Sequence, residues 1–281
     1  MNSYGDKEIS IFGFKFKLKN LILTLVMSCF ALIMLILIDM YIRDVSWYGV
    51  IIGCGFLIAI VCAIQLCKER DLPNDFPYDL ILWVFPLSII CARLYYVICS
   101  PHEFDGFMDV IAVWEGGIAI YGGIIGALIS AAVFCKIKKI KFLDLCDYLV
   151  PFLALGQSIG RWGNFVNQEA YGYITESFLK MRIYSKEIGG FINVHPTFLY
   201  ESILDFLIFG ILIILRKKRK FSGQLLYVYF ILYGIGRAII EGFRTDSLMM
   251  MNFRISQVFS IFLVIISIIL YYFGEKCRRK D

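Results

Sequence analysis

Long apolar runs separated by short polar connections dominate this chain. Measured against the roughly 20 residues that a helix needs to cross a bilayer, they fall at 21–40, 47–67, 79–99, 117–135, 143–165, 197–215, 225–243 and 255–273. The pattern predicts an all-α, polytopic integral membrane protein with about eight transmembrane helices. The fifth and seventh runs are the weakest as spans, because they carry clusters of polar residues. The segment 169–195, the one sizeable connection outside the membrane, is polar in composition and predicts a small extracytoplasmic cap.

Charge placement gives this segmentation a sidedness. The basic blocks are Lys15 with Lys17 and Lys19, Lys68 with Arg70, Lys136 to Lys141, Arg216 to Lys220, and Lys276 to Lys280. With eight spans, each falls at a terminus or in an alternate connection, so all lie on one side. Lys and Arg concentrate on the cytoplasmic side of membrane proteins, so both termini are expected in the cytoplasm. The opposite connections are acidic or mixed, with Arg43-Asp44, then Glu103, Asp105 and Asp109, then 169–195.

Composition agrees. The 281 residues are 59% hydrophobic and 18% charged, with a mean hydropathy of +0.74, whereas soluble domains are about a quarter charged. The net charge of +5 does not imply nucleic acid, because the basic residues occur as short inter-span blocks. The nine cysteines lack CxxC spacing and read as small hydrophobes buried in or beside spans. With two histidines in the chain, no metal site is expected, and no cofactor either. The first run is long enough to span and lacks an A-x-A-like cleavage site.

Two clusters carry candidate chemistry. The run Gly160-Arg161-Trp162-Gly163-Asn164-Phe165-Val166-Asn167-Gln168-Glu169-Ala170-Tyr171-Gly172 places ionisable groups at the end of an apolar segment. Such groups are costly there and mark a functional site. Arg237, Glu241 and Arg244, at i, i+4 and i+7, line one helix face. Two arginine-bearing faces suggest a buried anion, most simply a phospholipid phosphate, which a guanidinium binds through paired hydrogen bonds. Arg161, with Asn164 one turn later, either does this or pairs with a carboxylate such as Glu169 or Glu241. Glu241 suits pairing with one arginine while the other meets a ligand, and Arg244 either joins that ligand or anchors the helix end.

Other positions have both a chemical and a packing reading. Tyr121, before Gly122-Gly123, is either a hydroxyl donor or an aromatic of the interfacial belt. Tyr48, in Ser46-Trp47-Tyr48-Gly49, has the same two readings. Asp147 suits a helix cap, and His195 suits an interface position. The pairs Gly49/Gly53, Gly122/Gly126 and Gly156/Gly160 have the spacing of close helix contacts.

Over roughly residues 46–275 the chain resembles the prolipoprotein diacylglyceryl transferase family. The Gly160–Gly172 run is the main motif. Supporting matches are Trp47-Tyr48-Gly49, Ala92-Arg93-Leu94-Tyr95-Tyr96-Val97, Gly116-Gly117, Gly122-Gly123, His195-Pro196-Thr197-Phe198-Leu199-Tyr200-Glu201, and Gly236-Arg237 with Glu241 and Arg244. The resemblance implies transfer of a diacylglyceryl group from phosphatidylglycerol to the lipobox cysteine thiol of a prolipoprotein in the bacterial cell membrane, at a site facing outward. It implies that Arg161 binds the headgroup phosphate with Asn164, Glu169 and Gly172 shaping that pocket. Arg237, supported by Glu241, would act near the reacting carbon, and Tyr48 would match a functional tyrosine. Many members carry histidine, a proposed base, where this chain has Tyr121. The family's first span is the one with Trp47-Tyr48-Gly49, so residues 1–45 are expected to form an N-terminal segment with an added helix, and 46–281 the transferase domain. The competing readings are an anionic-lipid transporter, disfavoured by the lack of paired halves, and a non-catalytic lipid-binding relative.

Overall fold

The structure, a computed structural model, describes residues 8–11, 14–17, 47–69, 76–100, 106–113, 116–185, 188–246, 249–250 and 253–279. Among them, seven helices are long and apolar enough to cross a membrane. They are α1 (Trp47–Glu69), α2 (Phe76–Cys99), α4 (Ile120–Lys138), α5 (Phe142–Asn167), α6 (Thr197–Leu215), α7 (Gln224–Glu241) and α8 (Ile255–Arg278), with a short α3 (Phe107–Ile111). Each matches a predicted span to within a few residues. The predicted span at 21–40 lies outside the described residues. Of the cysteines, Cys135 is buried as expected, whereas Cys54 and Cys99 occupy exposed faces of α1 and α2.

The chain divides into two compact units. One is Leu66–Cys146. Here α4 lies against α2 because Gly122 and Gly126 have no side chains. A Cβ on Gly122 would stand 2.5 Å from the Cys91 carbonyl oxygen, and one on Gly126 would stand 2.9 Å from that of Leu87. The Ser130 hydroxyl donates to the Trp83 carbonyl at 3.0 Å, and Lys138 pairs with Asp79 at 2.6 Å. Arg93, nearly buried on α2, organises the connection between the two helices. It donates to the carbonyls of Val110 (2.9 Å), Gly116 (2.7 Å), Gly117 (2.8 Å) and Asp109 (2.5 Å). Gly116 and Gly117 have positive φ, 96° and 67°, which glycine alone adopts freely. The Arg93 and Gly-Gly motifs thus have one local purpose, to set the path into α4.

The other unit holds the residues up to Gln65 together with Asp147–Asp281. Ser158 and Ser202 exchange hydroxyl-to-carbonyl bonds of 2.8 Å each way, fastening α5 to α6. Gly55 makes the close contact with α5, its notional Cβ lying 3.1 Å from Ile159 and 3.5 Å from the Gly156 carbonyl oxygen. Among the described residues, nothing stands within 4 Å of a Cβ placed on Gly156 or Gly160. Asp147 is a cap, although not of its own helix. Its carboxylate accepts the amides of Gly223 (2.8 Å) and Leu226 (2.9 Å) at the start of α7 and pairs with Arg219 at 2.8 Å.

Beyond α5 the 169–195 segment contains strands that the hydropathy reading does not assign. Strands β3 (Met181–Ser185) and β4 (Gly190–Val194) form an antiparallel hairpin, following β1 (Glu8–Ile11) and β2 (Phe14–Lys17) near the N-terminus. A further pair, β5 (Met249–Met250) and β6 (Phe253–Arg254), precedes α8. Met181, Ile183 and Val194 alternate inward onto Phe198 at the start of α6, so the hairpin is seated on a helix end. Its other side continues into the 171–175 segment through Thr175 N to Asn193 O (3.0 Å) and His195 N to Tyr173 O (3.0 Å). That segment bonds onward to the chain after α7, through Tyr173 N to Phe243 O at 3.0 Å.

Replacing Arg93 by Lys keeps the charge but removes the planar fork that reaches several carbonyls. Arg93→Lys should destabilise the detergent-solubilised protein by about 3 kcal/mol, since hydrogen bonds to charged groups are worth about 1.5–3 kcal/mol each. It should also open the 109–117 connection to protease. Unchanged melting with no new cleavage would show that the helices set that path without Arg93.

Candidate active site

Three helices of one unit bring ionisable groups together where the sequence places polar residues in apolar runs. Arg161 comes from the last two turns of α5, Glu201 and Asp205 from α6, and Arg237 and Glu241 from α7, with Arg244 just beyond. Glu201 is the centre of the group and is only 4% exposed. One of its oxygens, Oε2, meets Arg161 Nε at 2.7 Å. The other, Oε1, accepts from Arg237 Nη1 and lies 3.5 Å from Arg244 Nη1. Arg237 Nη2 pairs with Glu241 at 2.7 Å, and Glu241 is 2% exposed. Arg244 also forks to Asp246, by Nε at 2.9 Å and Nη2 at 2.7 Å. The Arg244 hydrogen bond holds the Asp246 carboxyl below the usual aspartate range. The contact is therefore fully present above the ordinary aspartate pKa and is lost only as pH falls through the lowered value.

Arg161 pairs with a carboxylate that the sequence reading does not name. Its partner is Glu201, not Glu169 or Glu241. Glu169 instead accepts from Asn164 Nδ2 at 2.9 Å and Asn167 Nδ2 at 3.5 Å. Among the described residues, the Nη edge of Arg161 makes one long contact, 3.5 Å from Nη2 to the Tyr233 hydroxyl. Tyr233 stacks on Tyr229 with centroids 5.5 Å apart, and Tyr229 donates to Gln157 at 2.7 Å. Glu241 takes Arg237 as expected. Arg244 is anchored by Asp246 at the helix end.

Asp205 completes the buried acids. It is 0% exposed, its nearest cation is Arg161 Nε at 3.9 Å, and neither oxygen has a hydrogen-bond partner among the described residues. Glu201 and Asp205 were overlooked as site residues because they lie within a strongly apolar run. Two carboxylates spaced i, i+4 inside such a run were themselves a signal.

The remaining predicted positions separate. Tyr48, at the start of α1, lies over Gly163, where a Cβ would come within 2.7 Å of its ring, so it stands on the same stretch of α5 as Arg161 and Asn164. Gly172 is held where a side chain has no room, its notional Cβ lying 2.7 Å from both His195 Cβ and the Phe243 carbonyl oxygen. It donates its amide to His195 O at 2.9 Å and bridges to Arg244. His195 Nδ1 lies 3.1 Å from the Tyr200 hydroxyl. Tyr121 belongs to the other unit, on the first turn of α4, and is 71% exposed.

Seven apolar helices, with an arginine–carboxylate cluster buried among three of them, define a polytopic membrane protein with an ionic site at its span ends. The sequence model for prolipoprotein diacylglyceryl transferase matches residues 35–273, and the chain belongs to that family. It is 46% identical over 229 residues to the phosphatidylglycerol–prolipoprotein diacylglyceryl transferase of Finegoldia magna, covering 81% of this chain and 90% of the relative. The protein of the same name from Listeria welshimeri is 45% identical, covering 80% and 84%. One from Clostridium perfringens is 44% identical, covering 80% and 88%.

Removing one partner of a buried ion pair strands the other charge, at a cost of about 3–5 kcal/mol. Glu201→Gln should therefore lower the melting temperature in detergent by several degrees and reduce activity. An unchanged melting temperature would mean that Glu241 and Asp246 suffice to hold the arginines.

Proposed function

We propose that the chain transfers the diacylglyceryl group of phosphatidylglycerol to the lipobox cysteine thiol of a prolipoprotein. The thiolate sulfur attacks the glyceryl carbon bonded to the phosphate oxygen, and a carbon–sulfur bond forms as that carbon–oxygen bond breaks. The electron pair goes to the departing oxygen, glycerol phosphate leaves, and the thiol proton is released. Negative charge thus grows on the phosphate, where fixed guanidinium groups stabilise it best. The observation that carries this reading is the arginine cluster centred on Glu201, which joins Arg161 of the main family motif to Arg237 and Arg244.

Roles follow from the geometry. Glu201 holds Arg161 by Nε, which leaves its Nη edge to fork onto a headgroup phosphate, with Asn164, Glu169 and Gly172 framing that end of α5. Arg237, fixed by Glu201 and Glu241, faces the charge that develops at the leaving oxygen, with Arg244 behind it. Tyr48 borders the site at Gly163, and Tyr121 orients a substrate by hydrogen bonding. The site faces outward and both termini are cytoplasmic. In support, the Asp147–Arg219 pair ties the start of α5 to the basic Arg216–Lys220 block. Arg161 lies fourteen residues further along, about 21 Å at 1.5 Å per residue.

The test combines purified protein, phosphatidylglycerol vesicles and a lipobox peptide, with mass spectrometry for the diacylglyceryl thioether. Absence of the thioether would refute the reading. Arg161→Lys should lose at least tenfold in transfer while remaining folded, because a single ammonium cannot fork. Full activity would make Arg161 structural. Tyr121→Phe should cost about tenfold, roughly one polar contact, and Tyr121→His should match or exceed the parent. If Tyr121→Phe abolished transfer, proton transfer by the tyrosine would replace orientation as its role.

A further inference from the structure

The cap hairpin ends in an unused edge. Met181 pairs with Val194 and Ile183 with Ile192. Asn193 and His195 turn their bonding groups to Thr175 and Tyr173, so Val194 and Ile192 turn theirs to β3. In an antiparallel ladder the alternate residues then point outward, which leaves the N–H and C=O of Arg182 and Tyr184 along the outer edge of β3. Among the described residues no strand pairs with that edge. Unpaired strand edges are templates for an added strand.

A second feature lies beside it. A cleft of about 380 Å³ is lined by Phe165, Phe178, Leu179, Lys180, Pro196 and Phe198, among others. The outer face of the hairpin is ordered by Arg182, 4.5 Å from the Phe191 ring centroid, and by Tyr184, edge-on to Phe191 at 5.4 Å. An acyl chain could fill the cleft but would offer nothing to the open main-chain groups. An extended polypeptide satisfies both, bonding to the edge while alternate side chains enter the cleft between Phe165, Phe178 and Phe198.

The edge is continuous with the arginine cluster. From β3 the bonding runs through β4 and the 171–175 segment to 243–245, which includes Arg244. At about 4.8 Å per strand spacing, a strand added to β3 lies on the order of 19 Å from Arg244, a span that about six extended residues cover.

We propose that the outer edge of β3 binds, by strand addition, the extended segment following the acceptor cysteine of the polypeptide substrate, with apolar side chains in the adjoining cleft. The proposal rests on the transferase reading above.

The test is a scan of a long lipobox peptide, N-methylated at one residue at a time beyond the cysteine, with KM and kcat for thioether formation by the wild-type protein. Strand addition predicts a period of two. Methylation at alternate positions roughly four to eight residues past the cysteine should raise the peptide KM about tenfold, with kcat and the phosphatidylglycerol KM unchanged. A scan without that period overturns the proposal, and so does a shift in the lipid KM alone, which would assign the cleft to an acyl chain. Arg182→Pro removes one outward N–H. It should raise KM for the long peptide, and a peptide truncated two residues after the cysteine should be indifferent to it. An equal loss with the truncated peptide overturns the proposal. If Arg182→Pro does not fold, the scan on the wild type decides. No thioether from the unmethylated peptide would instead sink the transferase reading, and this inference with it.

Discussion

A carboxylate buried among three guanidinium groups is expensive to desolvate and repays that cost only when every partner is in place. Glu201 is in that position, and it draws α5, α6 and the end of α7 to one point through Arg161, Arg237 and Arg244. The helix contacts nearby serve the same end. The reciprocal Ser158–Ser202 bonds and the Trp162 indole donating to Ser202 at 3.2 Å fix α5 against α6 one turn from the pair. Without them Glu201 could not reach Arg161 by one oxygen and Arg237 by the other.

The arginine–carboxylate contacts of the cluster are therefore in place rather than awaiting a ligand to order them. Preorganised charge stabilises a transition state without rearrangement at the moment of reaction. On the proposed role of these arginines, an incoming phosphate competes with carboxylates already bonded to them. The Nη edge of Arg161 is the least committed part of the cluster, and Asp205 behind it adds a carboxyl without a hydrogen-bond partner among the described residues.

Much of this was legible beforehand because a membrane demands long apolar runs, and seven such runs reappear as helices at nearly the expected limits. The i, i+4, i+7 spacing of Arg237, Glu241 and Arg244 likewise shows which residues share a face. What spacing does not show is the identity of a partner from another helix. The spacing around Arg161 points to Glu169 or Glu241, but its partner is Glu201, concealed within the apolar run of α6. Glycine spacing fails similarly, since it does not say which face meets a neighbour. Gly122 and Gly126 pack on α2, whereas between α1 and α5 the glycine whose missing side chain makes room is Gly55. The hairpin left a fainter trace, inward Met181 and Ile183 alternating with outward Arg182 and Tyr184, then Gly189-Gly190. Arg93 was quoted as a motif residue, yet its partners are carbonyls, whose positions depend on the folded path of the loop.

Asp147 stitches the start of α5 to the start of α7 by a pair of backbone amides and an arginine. A carboxylate that takes Gly223 and Leu226 together tolerates no rotation or sliding of one helix along the other, since a shift of one residue would present it with the wrong amides. The two helices are thus indexed to each other at the end remote from the chemistry, as two rulers are aligned at their zero marks. Arg161 and Arg237 are then set by counting residues from that origin. An insertion or deletion in either helix between Asp147 and the arginines would spoil the site while leaving every residue of it unchanged.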